Sequence, residues 1–504
     1  MSHALRAALA LVLASLTGCN PAQSRGERLA RSNCAACHAF PEPELLSKRT
    51  WQTGVLPQMA PRLGVSTKSL YSATFRKPYM TALNRAVSEQ DWEKIVAYYL
   101  ERAPDTLPPQ ALPAQPQLDP EFFQIGPFVP RLQSSGIITL LKTDSVRRRI
   151  YVGEAGTNRL RIFDFNRRLV STVTLGSPPT DVVVDSGGRR VLVLESGMLD
   201  PNDEAKGTLI DSGGHVLIDS LLRPVFVREF DFDGDGRNEF LICEFGDNRG
   251  RLALYRPPPP PLPDGARYTR QVLDATPGAI RFEIRDLTGD GHPDIVALFA
   301  QGDERIVLFV NDGHGNFSAP PQTLARFPPV YGSMYFAMHD FNGDGFPDIV
   351  YVNGDNFDYS RVLKPYHGVR ILENDGHNNF VERYFFPVYG AARAAVADFD
   401  GDGRLDILTT SNFAASEHPE RGILLLQNMG GYNFKPFAFS AASANQWNLT
   451  ATADLNRDGL PDVLIGAMHL ENIARMQRFS GQGPETGRES LLLLERSGAA
   501  LKHR

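Results

Sequence analysis

Cysteine is scarce in this sequence, with four in 504 residues. Cys34 and Cys37 stand together, whereas Cys19 and Cys243 lie far from them and from each other, so no disulfide framework can be drawn. A second Cys or His pair at similar spacing is missing too, which excludes a four-ligand zinc site. No apolar run reaches the length of a membrane-spanning helix; the stretch 7–16 is too short. Fingerprints of nicotinamide, flavin or quinone-cofactor binding are absent. The formal charge of −6 gives no basic surplus, so nucleic acid is not an expected partner.

What is present divides unevenly. Five hundred residues are too many for one ordinary domain, and 44 Gly with 37 Pro point to many turns. Residues 24–102 hold 12 Lys and Arg against 7 Asp and Glu, a surplus of five positive charges. With Arg6 also set aside, the chain beyond residue 102 carries −12. The proline-rich stretch 104–125 separates the two parts and reads as a stiff spacer.

Within the basic part, Cys34-Ala35-Ala36-Cys37-His38 is the most informative stretch. Two thiols three positions apart add across the two vinyl groups of one porphyrin, and the next histidine reaches its iron from the proximal side. A covalent haem c is therefore expected on Cys34, Cys37 and His38. A short helix from Gly26 to Arg31 would deliver Cys34. Ser88-Glu89-Gln90-Asp91 starts another helix, on which Trp92, Ile95, Val96, Tyr99 and Leu100 form one apolar stripe. This arrangement resembles a small all-α class I c-type cytochrome, assigned to residues 19–103.

Two methionines compete for the sixth iron position. Met80 follows His38 by 42 residues, a spacing usual in small cytochromes. Met59 lies in the segment 51–64, which resembles cytochrome domains fused to repeat propellers in environmental bacteria; that resemblance favours Met59. Whichever is not the ligand fills the core.

The N-terminus carries Arg6, the apolar stretch and then Leu16-Thr17-Gly18-Cys19. It resembles a bacterial lipoprotein signal, residues 1–18, cleaved before Cys19, which would carry lipid. Asn20 in place of Asp favours sorting to the outer membrane, so the membrane is met through the lipid anchor only. Cys243, in Phe240-Leu241-Ile242-Cys243, reads as a small buried hydrophobe of a strand.

Beyond the spacer, five loops share the pattern D-x-[D/N/T]-x-D-G-x-x-[D/E], starting at Asp231, Asp286, Asp340, Asp398 and Asp454, with successive starts 55, 54, 58 and 56 residues apart. Each follows an alternating run and leads into an apolar one, as in strand, loop, strand. Repeats of this length are four-stranded propeller blades. Weaker repeats around Thr180–Asp185 and Ile137–Leu141 bring the total to seven, so residues 126–504 are expected to form an all-β seven-bladed propeller.

The loop acids gather oxygens at one point: Asp231, Asp233, Asp235 and Glu239; Asp286, Asp290 and Asp294; Asp340, Asn342, Asp344 and Asp348; Asp398, Asp400, Asp402 and Asp406; Asp454, Asn456, Asp458 and Asp462. Glycine at position 6 allows the turn, and the acid at position 9 completes an oxygen cage suited to calcium. An EF-hand would need Glu at position 12, which is Ile242, Ala297, Tyr351, Thr409 or Ile465. The loops instead resemble FG-GAP or VCBS repeats, which implies up to five calcium ions. Arg457, where the other loops have glycine, is expected to weaken the last site.

One insertion, Gly354 to Ser360 followed by Lys364 to Gly368, is dense in titratable and aromatic groups. It either lines a pocket at the propeller axis or packs on itself. Neither His339 nor His469 adjoins a nucleophile. Two functional classes remain: an electron-transfer protein that meets a redox partner while its propeller docks a protein or glycan at the cell envelope, or a dehydrogenase or oxidase whose electrons leave through the haem. The absence of an organic-cofactor fingerprint favours the first.

Overall fold

The computed structural model describes residues 23–65, 87–129, 134, 136–184, 190–259, 267–355, 362–469 and 489–496. The expected signal 1–18, Cys19, Met80 and residues 356–361 of the insertion lie outside these. The chain divides into two compact units, one of residues 1–36 and 42–106, the other of residues 37–41 and 107–504. No helix among the described residues is long and apolar enough to cross a membrane.

The first unit is helical. Helix α1 (Arg25–Cys34) starts where the Ser24 side chain accepts from the Glu27 N–H, and its last residue is Cys34. Helix α2 (Leu56–Arg62) continues from a π turn at Trp51–Val55. Helix α3 (Glu89–Arg102) is capped by Ser88, which accepts from Asp91 N–H at 3.2 Å. Its buried stripe is Trp92, Ile95, Tyr98 and Tyr99; Val96 and Leu100 of the expected stripe are only half-buried. The face turns toward Tyr98 because α1 packs closely there: a Cβ on Gly26 would meet Lys94 O at 2.5 Å and Tyr98 Cβ at 3.1 Å. Trp51 fills the remaining side, its ring centroid 4.5 Å from that of Tyr99 and its Nε1 donating to Pro43 O at 2.7 Å.

The second unit is a seven-bladed β-propeller. Seven sheets follow one another along the chain, each built on three or four consecutive antiparallel strands. Their innermost strands are Ile138–Asp144, Pro179–Val184, Pro224–Phe230, Ala279–Arg285, Ser333–His339, Ala391–Ala397 and Trp447–Ala453. Second strands such as Asp294–Phe299 and Asp406–Ser411 are buried at every position because neighbouring blades cover both faces. Outer strands such as Leu169–Thr174 are mostly exposed. Cys243 is fully buried in the second strand of blade 3, as expected. Each successive pair of blades, the seventh and first included, shares a cluster of buried aliphatic and aromatic side chains. Apolar burial between blades, at roughly 25 cal/mol per Å², is the main force closing the ring.

Closure also uses the chain's own start. Phe123–Pro127 pairs antiparallel with Leu491–Arg496 as the fourth strand of blade 7. Gln117–Leu118 adds a parallel strand to the edge of blade 6. The stretch expected to be a bare spacer therefore lies along the propeller from Gln110 onward. Gln110 N–H donates to Tyr389 Oη and its Nε2 to His367 O, both at 2.9 Å, and Asp119 accepts from Ser440 N–H at 2.9 Å. Prolines leave few N–H groups to satisfy, and those of Gln110, Asp119 and Phe123 find partners.

All seven innermost strands carry the same irregularity. A β-bulge follows their first paired residue, so that Leu140, Asp181, Phe226, Arg281, Tyr335, Arg393 and Leu449 occupy equivalent positions.

Candidate functional site

Cys34 ends α1 and the chain leaves through a turn that carries Cys37 and His38. Cys34 is half-buried and Cys37 exposed, and neither forms a disulfide. The His38 ring places Nδ1 2.9 Å from the Ala39 carbonyl. A carbonyl can only accept, so Nδ1 carries the proton and the lone pair is on Nε2, the tautomer an iron-ligating imidazole needs. Burial holds the Tyr99 phenol above its ordinary range, and the Cys34 thiol beside it adds to the shift. Met59 is half-buried on α2. Two thiols at this spacing and an imidazole so oriented fit covalent haem attachment.

The five acidic loops follow one plan. The position-1 aspartate wraps the loop around itself: Asp231 accepts from Gly234 N–H at 2.8 Å and Gly236 N–H at 2.9 Å, and Asp286, Asp340, Asp398 and Asp454 repeat the pattern. The Oδ2 of each accepts only one N–H and keeps a lone pair for a cation, whereas Oδ1 of Asp286, Asp340, Asp398 and Asp454 also accepts from the position-5 N–H. Position 5 holds the next turn: Asp235, Asp290, Asp344, Asp402 and Asp458 each accept from the N–H two residues on.

The position-9 acid is buried and has a second task that its spacing does not reveal. Asp406 accepts from Phe399 N–H at 3.0 Å and from Asn428 N–H at 2.7 Å, tying the loop to the end of the third strand. Asp348 and Asp462 do the same with Asn374 and Arg496, and Asp294 with Asn311. Burial raises Glu239, Asp348 and Asp462 above the ordinary carboxylate range and pushes Asp406 up to about 7; nearby loop carboxylates add to each shift. A cation at the loop would reverse that shift.

Three carboxylates converge in two loops. Oxygens of Asp231, Asp233 and Glu239, and of Asp398, Asp400 and Asp406, lie within 4.8 Å of one another. The other loops carry Thr288, Asn342 and Asn456 at position 3, where a neutral oxygen replaces the third charge. Asn342 and Asn456 donate to the position-5 carboxylates Asp344 and Asp458, at 2.8 and 3.1 Å. Arg457 adopts the left-handed backbone, with φ +68°, that Gly234, Gly289, Gly343 and Gly401 adopt in the other loops, so the last loop keeps its course despite the side chain.

Two participants escaped the sequence reading. Arg256 lies 3.0 Å from Asp233 and 3.7 Å from Glu239, a fixed cation at the first acidic cluster. Asn311, Asn374 and Asn428 close third strands. Their shared signal, Asn followed by Gly at the second position and Phe at the sixth, recurs in Asn311 to Phe317, Asn374 to Phe380 and Asn428 to Phe434. In the insertion, Lys364 and His367 are buried, and Tyr366 stacks on Tyr331 with centroids 4.9 Å apart. Its described part is thus packed against blade 5. His339 is held neutral, down to about 4, by burial and then by Arg285 and Arg281.

A family model, the FG-GAP-like repeat, matches residues 231–297, 286–351 and 352–409. The chain therefore carries FG-GAP-like repeats across the first four acidic loops; the fifth, with Arg457, lies outside the match. A search of curated proteins finds no match. Among solved structures, the crystal structure of the major Malassezia sympodialis allergen Mala s 1 is similar at 9% identity, over 74% of this chain and 96% of that one, with a TM-score of 0.36. That likeness is too slight to argue from.

Proposed function

We propose that this chain is a haem c-binding electron-transfer lipoprotein of a bacterial cell envelope, whose calcium-bearing propeller docks a protein or glycan. The reading rests most on His38, whose Nδ1 is tied to the Ala39 carbonyl directly after the Cys34-Cys37 pair. Cys34 and Cys37 would hold the porphyrin by thioethers and His38 would ligate through Nε2. Haem c supplies one-electron exchange. The Ala39 carbonyl strengthens His38 as a donor by holding its Nδ1 proton, and a thioether from Met59 would favour the reduced state. Met80 is the alternative donor. Electrons would pass to a redox partner protein, because nothing in the sequence marks a bound organic cofactor to receive them.

For calcium, the reading is supported by the all-oxygen donor sets at the loops, three carboxylates in each of two and mixed sets in the rest. Five divalent ions would offset most of the −12 beyond residue 102. The lipid anchor at Cys19 and an outer-membrane location rest on the sequence of residues 1–20.

The test is a spectroscopic redox titration of the purified mature chain. It should show one reversible one-electron transition, and Met59→Ala should abolish the long-wavelength absorbance of methionine-ligated ferric haem. Loss of that band in Met80→Ala instead would transfer the role to Met80; no haem spectrum at all would refute the proposal.

A further inference from the structure

We propose that the propeller axis is a binding site for a small dianionic oxyanion, held by Arg393, Arg281, Arg228 and Lys142. This inference is independent of the haem and calcium readings.

The bulge shared by the seven innermost strands sets one ring of equivalent positions, of which blades 2 to 6 supply Asp181, Phe226, Arg281, Tyr335 and Arg393. Two residues further along, on the same side of each strand, come Lys142 of blade 1, Arg228 of blade 3 and Glu283 of blade 4. These side chains meet across the ring. Lys142 Nζ lies 3.0 Å from Asp181 and Arg228 2.9 Å from the other oxygen of the same carboxylate. Arg281 senses Lys142, three blades away, and Arg393 senses Asp181 on blade 2. Such pairs are not on neighbouring blades, so the groups converge on the axis. They are also wet: Lys142, Arg228 and Arg281 keep 29%, 36% and 20% of their side-chain surface open.

The charges do not balance. Among the described residues the ion pairs of Lys142, Arg228, Arg281 and Arg285 reach only Asp181 and Glu283, and Arg393 forms none, leaving three positive charges in a unit that is otherwise acidic. Arg281 donates to Phe336 O at 3.0 Å and serves as a tie between blades. Arg393 has no such task. No carboxylate or carbonyl among the described residues accepts from its side chain, whose Cζ lies 5.1 Å from the centroid of the Tyr335 ring. Burial and then Arg281 lower its pKa to about 10, the direction expected where cations crowd.

Geometry suits an oxyanion. Arg228 and Arg281 stand over the Phe226 ring at 4.1 and 5.1 Å, and Arg281 over Tyr335 at 4.5 Å, so aromatic faces hold the guanidinium planes in place. A planar fork fixed in this way binds two oxygens of a phosphate, sulfate or carboxylate group at once. Restricted water strengthens the attraction relative to bulk solvent.

Sulfate is the probe, since it stays soluble beside calcium. Calorimetric titration of sulfate into the full-length chain, against chloride at equal ionic strength, should give one saturable site. Because the Arg393 side chain donates no hydrogen bond among the described residues, Arg393→Gln should fold, melt no lower in chloride, and bind sulfate roughly tenfold or more weakly, as loss of a charge-assisted pair implies. Arg168→Gln, an exposed substitution far from the inner strands, should bind as the parent does. Should Arg393→Gln fail to fold, Arg393→Lys keeps the charge without the fork and must still weaken binding severalfold. Absence of a sulfate heat in the parent, or equal affinity in the Arg393 variants, overturns the proposal.

Discussion

The helical unit and the propeller place their chemistry in opposite ways. Around the segment that starts at the end of α1, everything proposed for function exists once: one Cys34-Cys37 pair and one His38. The propeller repeats its elements, seven blades and five acidic loops, so no single residue decides the outcome. A further contrast lies within the propeller. In blade 1 the turn between the first two strands is closed by Asp144 alone, which accepts from Arg147 N–H at 3.0 Å and from its guanidinium at 2.7 Å. That blade still packs Ile150, Val152 and Leu160 into the core. A four-stranded blade therefore does not require the acidic loop, and the carboxylates gathered in blades 3 to 7 exceed what such a turn needs, as the proposed cation sites would require.

The largest effect should come from the part that exists once. Cys37→Ser should leave haem attached by at most one thioether, and Cys34→Ser/Cys37→Ser should abolish covalent attachment, read as colour lost on acid-acetone extraction. Asp398→Asn, one loop of five, should leave haem content unchanged. If the propeller substitution removed haem, the contrast between the two units would fail.

Chelation comes next. A cation bound only by the folded state stabilises by RT ln(1 + [L]/Kd), about 2.7 kcal/mol for each site whose Kd is a hundredfold below the free ion. Removing calcium should lower the melting temperature of the propeller by many degrees in calorimetry, and Asp398→Asn with calcium present by only a few. The helical unit lacks such loops and should keep its transition.

A smaller effect tests a carboxylate outside the loops. Glu304 is buried and accepts from Gly332 N–H at 3.1 Å, Ser333 N–H at 2.9 Å and Ser333 Oγ at 2.6 Å, and burial pushes it up to about 8. The unfolded chain ionises near 4.5. Between these values the native state holds more protons than the unfolded one, so this group's contribution falls as pH rises from about 4.5 to about 8. Melting temperatures with calcium should decline by several degrees over that window, and Glu304→Gln should flatten the decline.

The smallest effect is a gain. Arg457→Gly relieves a left-handed non-glycine residue and should raise stability by about 1 kcal/mol at most, seen as a slightly higher denaturation midpoint. A loss would mean that the Arg457 side chain makes contacts worth more than its backbone strain.

Much of this was legible in the sequence, because repetition makes local signals redundant. The five Asp-rich loops together with the two weaker repeats ahead of them set the blade count, and the second strands read as continuous apolar runs because both of their faces are covered. What escaped notice was long-range. Arg256 reaches Asp233 across 23 residues, and no local pattern marks it. The strand at Gln117–Leu118 hides among prolines, since two residues without ring constraints suffice to pair with Phe437 and Ala438. Tyr98 entered the core of the helical unit because the close approach at Gly26 turned the buried face of α3. The cationic axis was equally hidden: its members are hundreds of residues apart and only the shared bulge aligns them.

Covalent haem attachment is read out most directly by the intact mass of the mature chain purified from cells able to attach haem. The mass should be that of the polypeptide plus one haem, with the addition mapped to the peptide holding Cys34 and Cys37. A polypeptide of unmodified mass at those cysteines would contradict it.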